Sequence, residues 1–287
     1  MIDSTAIILT RDEERNLETC IRRLKGFAAR IVVVDSGSTD RTLDIARELG
    51  ADIFVHEPYV DYGAQFNWAI ENTGIDTEWI MRVDADEYWT PELCAEVEAL
   101  VRQHAHDDVN GILTESIFFF MGRRILHGER KRRKIVVFRR NHGYIEKRRR
   151  DQHTIVEDGR VIEAKHRFEH NDFKDLDSWI RKMDTYATRE VDDYFTDREK
   201  YRKGAVNLDG VADASLSGRR KLKFRLYYRM PKFFRCWLLF IYIYIFRLGF
   251  LDGREGYVYN YMFHRWYRSL VDAKILEREL EGKGIRH

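Results

Sequence analysis

This chain has little of what an exported or membrane-spanning protein carries. Its three cysteines, Cys20, Cys94 and Cys236, are widely spaced and odd in number among 287 residues. They make neither a disulfide framework nor a zinc pattern, and they favour a reducing compartment. The amino terminus, MIDSTAIILTRDEE, has no basic region and no long apolar stretch, so it does not read as a secretory signal. A spanning helix needs about 20 apolar residues, and the apolar run from Cys236 to Phe246 has eleven. Internal repeats and low-complexity tracts are missing. There is no global charge bias either: 34% of residues are charged, yet the net charge is +2. With an aspartate-rich front half, that near-neutral balance argues against nucleic acid as a partner. A cytoplasmic protein is expected.

What is present is concentrated in two short stretches. Residues 31–40 read IVVVDSGSTD and residues 80–87 read IMRVDADE. Each is an apolar run of strand length that ends in aspartates and small residues. Such runs suit strands buried on both faces of a parallel sheet, and ligands of open α/β sheets sit beyond the carboxyl ends of those strands. Asp35, Asp84 and Asp86 therefore fall where a nucleotide and a metal would be held. Residues i and i+2 of an extended segment point the same way, so Asp84 and Asp86 can face one divalent ion. Hard carboxylate oxygens suit Mg²⁺ or Mn²⁺.

The pattern from 4 to 100 alternates strand and helix. Strands are expected at 6–9, 31–34, 53–56 and 79–83, with helices over 12–24, 40–49 and 64–72 and another starting at Pro91. That alternation implies a parallel sheet with right-handed crossovers. Strand periodicity takes over at 111–120, 134–139 and 156–168, and helical character returns at 175–195. The polar stretch LDGVADASLSG, 208–218, reads as a linker or loop. The resulting division is a catalytic domain over 1–215, with a nucleotide half to about 100 and an acceptor half beyond it, followed by a helical region over 216–287.

Taken in order, STAIILTRDEERNLETCIRRL, IVVVDSGSTDRTLDIARELGA and YGAQFNWAIENTGIDTEWIMRVDADEYWTPEL resemble the amino-terminal half of a family 2 glycosyltransferase. Within that family the chain is most similar to bacterial enzymes that build lipopolysaccharide core, capsule and related surface glycans. The resemblance implies an α/β GT-A nucleotide-diphospho-sugar transferase fold with a mixed, mainly parallel sheet, here extended by a helical, basic-aromatic C-terminal region. It also implies a nucleotide-sugar donor, UDP-linked by expectation, a divalent metal (Mn²⁺ or Mg²⁺) and inversion at the anomeric carbon. Asp86, with Asp84, matches the metal-and-diphosphate motif, and Asp35 the aspartate that holds the base. Ser36 stands where a second aspartate is usual. Thr10 and Glu13 match the entry to the nucleotide pocket, although acidic charge near a helix start is an ordinary use of Glu13. Gln65 and Asn67 resemble the segment lining the sugar and diphosphate side. Arg82, on the face of both aspartates, is suited to a phosphate, to Asp84 itself or to orienting the aspartates. For the catalytic base, Asp151 and His153 resemble an acidic-x-His element of the subgroup, with Glu87 as the rival beside the metal motif. Trp179, Lys182, Tyr186 and Arg189 share one helical face, suited equally to a sugar or lipid diphosphate and to core packing.

Basic blocks at 130–134 and 147–150 are placed to grip a diphosphate-bearing or otherwise anionic acceptor, and a third block stands at 219–221. Around 219–250, Lys and Arg interleave with aromatics and flank the short apolar run. That suits a helix lying on the inner face of the cytoplasmic membrane more than the alternative, a helix buried under the catalytic domain. The expected activity is transfer of a sugar to a glycan or glycolipid acceptor. Two rivals are weighed against it. A nucleotidyltransferase would carry a glycine-rich loop after the first strand, where this chain reads TRDEERN. A non-catalytic membrane-surface scaffold would not need Asp35, Asp84 and Asp86 intact.

Overall fold

Alternation along the first strands decides which helices cover which face of the sheet. In the computed structural model, which describes residues 1–128, 132–146, 152–202 and 226–284, β1 (Ile2–Thr10), β2 (Ala28–Asp35), β3 (Asp52–Val55) and β4 (Trp79–Asp84) pair in parallel in the order β3-β2-β1-β4. Ile8, Val33, Met81 and Val83 face one side, against α1 (Leu17–Leu24), α2 (Thr42–Glu48) and α4 (Pro91–Gln103). Ile7, Val32, Val34 and Ile80 face the other, against Phe66 and Ala69 of α3 (Tyr62–Asn72). The period of two puts neighbours on opposite faces, and both faces are covered. The register places Thr10 opposite Asp35 and Leu9 opposite Asp84. Three strand ends are thereby brought level.

The second half of the sheet is mixed. β4 pairs antiparallel with β8 (Arg133–Arg139), and β8 antiparallel with β6 (Val109–Phe120). β6 takes β11 (Arg160–Glu163) and β12 (Phe168–His170) in parallel, and β12 pairs antiparallel with β5 (Glu87–Tyr88). The short β7 (Arg123–Arg124) turns back on β6, and β9 (Gly143–Ile145) forms a hairpin with β10 (Thr154–Val156). The α/β fold with a mixed, mainly parallel sheet agrees with the sequence expectation, but two elements differ from it. The strand read over 156–168 is three separate strands. The chain turns at Gly159, whose φ of 76° favours glycine and where a Cβ would lie 2.3 Å from the Asp108 carbonyl. The helix read from residue 12 starts only at Leu17, because Asp12 holds a φ of 52° and accepts from the Thr39 amide at 2.8 Å.

By packing, the chain forms two compact units, Met1–Arg124 with Arg130–Lys174, and Ile125–Glu129 with Asp175–His287. The boundary expected at 215, and the linker over 208–218, lie outside the described residues. In the second unit α5 (Leu176–Arg202) packs on α8 (Tyr267–Glu281). Met183, Ala187 and Val191, four residues apart, meet Tyr267, Val271 and Ile275 at the same spacing. Trp179 and Tyr186 pack at the margin of that core, and Lys182 is exposed. Glu190 is buried there, accepting from the Tyr267 hydroxyl at 2.8 Å and from Arg268 at 2.8 Å. Between them run α6 (Phe234–Ile241), continued by a π-helical turn over Tyr242–Phe246, and α7 (Gly253–Asn260). Among the described residues no single helix is long and apolar enough to cross a membrane. Phe234–Phe246 and Gly249–Glu281 pass such a test only as a pair, bent by 73°.

Candidate active site

The turn after β2 is built by Asp35. One carboxylate oxygen accepts from the amides of Gly37 at 2.9 Å and Ser38 at 2.8 Å; the other accepts from the hydroxyls of Thr10, at 2.8 Å, and Ser38. Two bonds per oxygen fill the usual capacity of a carboxylate, so a base reaching Asp35 must displace one of them. Gly37 is required in this turn: its φ is 87°, and a Cβ would meet the Glu57 carboxylate at 2.8 Å. Ser36 accepts from Gln65 at 3.0 Å, and the other end of that amide meets His56 Nδ1 at 2.7 Å. Gln65 thus ties the ends of β2 and β3 together. Asn67 faces away from this cluster: its amide both donates to and accepts from the Ile145 backbone, at 2.8 and 2.9 Å, and braces β9 on α3.

Asp84 closes β4 inside a charged network. Its Oδ1 accepts from the Tyr62 hydroxyl at 2.7 Å, and Tyr62 in turn accepts from Arg82 Nε at 3.1 Å. Arg82 is hydrogen-bonded to Asp84 through this bridge, with its guanidinium 4.6 Å from the centre of the Tyr62 ring. Lys134 Nζ lies 3.3 Å from Asp84 Oδ2 and 2.6 Å from Glu87 Oε2. Burial works to raise the Asp84 pKa, but Lys134 and Arg82, with the Tyr62 hydroxyl, outweigh it and hold the carboxyl well below its usual range. Glu87 is buried, and the same Oε2 also accepts from the Asp84 amide at 3.1 Å.

Asp86 meets a residue that reading the sequence missed. The pairing of β5 with β12 sets His170 opposite Glu87, and His170 Nε2 stands 3.7 Å from Asp86 Oδ2. Burial works to lower the His170 pKa, but Asp86 and Glu87 beside it raise it above the ordinary imidazole value. The next four residues complete the rim. Asn171 donates its amide to the Asp86 carbonyl at 3.0 Å, Asp172 accepts from Asn16 at 2.9 Å, and Lys174 pairs with Glu13 at 2.6 Å. Glu13 also accepts from Asn16 at 2.9 Å, so its carboxylate organises this rim rather than only starting a helix. In sequence His170 stands only in the polar run Glu169-His170-Asn171-Asp172, which does not by itself point to Asp86.

Asp151 lies outside the described residues. Its neighbour Gln152 accepts from Arg82 NH1 at 3.1 Å through its carbonyl and from the Gly63 amide at 2.7 Å through its side chain. His153 donates its amide to Glu146 at 3.0 Å, and its Nε2 is buried without a partner among the described residues.

Thr10, Asp35, Asp84, Asp86 and Glu87 are therefore gathered at one end of the parallel strands, with Glu13, Gln65 and Arg82 supporting them. Among the described residues no three acidic, histidine or cysteine groups form a ready cage for a metal. Asp84 and Asp86 nonetheless offer carboxylate oxygens of the kind Mn²⁺ or Mg²⁺ takes, the remaining positions being left to a diphosphate.

Comparison with known proteins agrees with this geometry. The family model described as Glycosyl transferase family 2 matches residues 5–159, more than half of the chain. An uncharacterized glycosyltransferase of Rickettsia bellii is 37% identical over 103 residues, 36% of this chain and 34% of its own length. The chain thus spans about a third of the length of the first curated relatives it matches. The lipopolysaccharide core biosynthesis glycosyltransferase LpsC of Rhizobium meliloti is 29% identical over 194 residues, 66% of this chain and 70% of its own. Among solved structures, glucosyl-3-phosphoglycerate synthase from Mycobacterium tuberculosis, crystallised with Mn²⁺ and UDP, covers 40% of this chain and 44% of its own. Its identity is 20% and its TM-score 0.32, and nothing about this chain's ligands follows from a likeness of that size.

Proposed function

The chain belongs to glycosyl transferase family 2, and from that premise we propose that it moves a sugar, with inversion, from a UDP-type nucleotide sugar to a surface-glycan acceptor of the lipopolysaccharide or capsule kind. The observation that carries the reading is the meeting of Asp84, Asp86 and His170 at the ends of β4, β5 and β12, beside the Asp35 turn. The surface-glycan acceptor rests on the likeness to LpsC, which covers 66% of this chain, and to a succinoglycan biosynthesis protein of Rhizobium meliloti.

Asp86 and Asp84, with His170 beside them, are the residues that would hold a divalent ion, which would supply Lewis-acid charge to the departing diphosphate. Tyr62 and Arg82 keep Asp84 oriented from behind, and Lys134 keeps it ionised. Thr10, Gln65 and the Asp35 turn shape the nucleotide end, while Glu13 and Lys174 hold the rim. The acceptor hydroxyl loses its proton to a carboxylate on the face away from the diphosphate. Asp151 takes that role, with His153 two residues on in the sequence. Glu87, the rival, is buried and paired with Lys134, which suits a group that positions others.

The test is a donor screen. Purified chain with Mn²⁺ and a panel of nucleotide sugars should hydrolyse one donor slowly without acceptor, and EDTA should stop it. Nucleotide binding that calorimetry finds unchanged by EDTA across the panel sinks the metal role. An anomeric proton signal of retained configuration in the product sinks inversion.

A further inference from the structure

We propose that the bend formed by α6, the turn after it and α7 is a lipid-inserting surface, seated in the headgroup region of an anionic bilayer without crossing it. The reason is an inverted helix. Along α6 and its π-helical continuation, Phe234, Trp237, Leu238, Ile241, Tyr242 and Ile245 recur at i, i+3, i+4, i+7, i+8 and i+11, and all are exposed. Phe246 is 73% exposed. The opposite side of the same helix buries Arg235, Cys236, Phe240 and Ile243. A helix in water turns its apolar stripe inward and its charges outward. Here the single charge between Phe234 and Phe246 is inside, 2% exposed and paired with Asp272, and the apolar stripe is outside.

The stripe continues past the bend through Leu248, Phe250 and Leu251 to Tyr257 and Tyr261, each between 41% and 50% exposed. Soluble monomers rarely show contiguous apolar patches above a few hundred Å², and side chains of this size and number amount to roughly 1,000 Å².

Geometry and charge choose the occupant. Thirteen residues of helix, Phe234–Phe246, rise about 20 Å, short of the roughly 30 Å hydrocarbon core. The 73° bend then redirects the chain into helices bearing Arg254, Glu255 and Arg265, so the pair lies in the interface rather than spanning it. Arg229 and Arg254 flank the stripe and are exposed, while the Asp252 carboxylate is buried under His127 and the Leu126 and His127 amides. An exposed apolar face rimmed by cations and by Trp and Tyr complements anionic headgroups over an acyl boundary. Two copies of the face laid together would oppose those like charges.

The test is flotation of the full chain with vesicles of phosphatidylethanolamine and phosphatidylglycerol. The protein should float, and partition should fall about tenfold or more in the Ile245→Glu, Phe246→Glu double variant. Both positions are exposed, and an unchanged melting temperature shows that the variant folds. Arg229→Gln with Arg254→Gln should weaken only the dependence on anionic lipid, by about fivefold per charge. Brominated acyl chains should quench the Trp237 contribution, read as the difference between wild type and Trp237→Phe, most strongly when bromine sits near the headgroups. A chain that stays at the bottom of the gradient, quenching greatest at the bilayer centre, or a dimer that loses association in the double variant would each overturn the proposal.

Discussion

The two units handle charge in opposite ways. In the first, apolar residues fill both faces of the sheet and the charged groups collect at one end of the strands, Asp84, Glu87, Lys134 and His170 among them. In the second, Arg235 and Asp272 are 2% and 1% exposed, while Phe234, Trp237 and Phe246 lie outside. Charges held together at a strand end are a site for a charged ligand. A charge pair held inside, with apolar side chains outside, is the inversion on which the proposed lipid-facing surface rests. If the proposed roles hold, with chemistry in one unit and placement in the other, substitutions in each should move different observables.

The largest effect is expected at the strand end. Asp86→Ala should lower kcat by about a thousandfold or more, roughly 4 kcal/mol of transition-state stabilisation. Steady-state turnover with the preferred donor measures the loss, and calorimetric melting should show the fold intact. If turnover survives, the first half of the contrast fails.

Next comes the buried pair. Asp272→Ala leaves Arg235 without its partner and should cost about 3–5 kcal/mol of stability. Replacing both, Arg235→Met with Asp272→Leu, should recover most of that, because desolvating two charges costs about as much as their attraction returns. Denaturant titration of the three proteins measures it. A double variant as unstable as the single would mean that the bonds Asp272 accepts from the Phe233 amide and Cys236 matter more than the ion pair.

A smaller change tests the bridge behind Asp84. Tyr62→Phe removes the hydroxyl between Arg82 and Asp84 and should cut kcat about tenfold, near 1.4 kcal/mol. Little change in melting temperature is expected. Equal losses in turnover and stability would make Tyr62 a packing residue instead.

The smallest is an ion pair at the rim of the second unit. Burial works to raise the Glu279 pKa, but Lys232 and Arg198 overcome it and hold the carboxyl below the ordinary glutamate value. A depressed pKa in the folded state adds stability above the ordinary glutamate range, and that stability is lost as pH falls through the depressed value. Glu279→Gln should therefore cost about 0.5 kcal/mol near neutrality and nothing in acid. Melting scans across that range decide it, and a cost that persists in acid would falsify the electrostatic account.

Reading the sequence found the strand ends because their signal is local. Ile31–Val34 before Asp35 and Ile80–Val83 before Asp84 each lie within a few consecutive residues, and strand register follows from period two. It missed His170 and Lys174 because nothing near them in sequence points to Asp86 or Glu13. Their place comes from β12 pairing with β5 across more than eighty residues. It read Asn67 as lining the ligand, whereas the amide is taken up by the Ile145 backbone, a partner that no local pattern reveals. The face of Trp179 and Tyr186 was open between ligand and core. The register of α5 on α8 resolved it, placing both at the margin of the core.

Local order along the chain was thus enough to determine the α/β class, the family, the paired aspartates and the short basic-flanked apolar run, since each depends on neighbours a few residues apart. Tertiary structure alone decided which histidine joins the aspartates, that Arg82 acts through Tyr62, and that Arg235 turns inward while Phe234 and Trp237 turn outward. Those outcomes depend on which distant elements meet. A buried guanidinium is tolerable only where a carboxylate such as Asp272 arrives to pair with it.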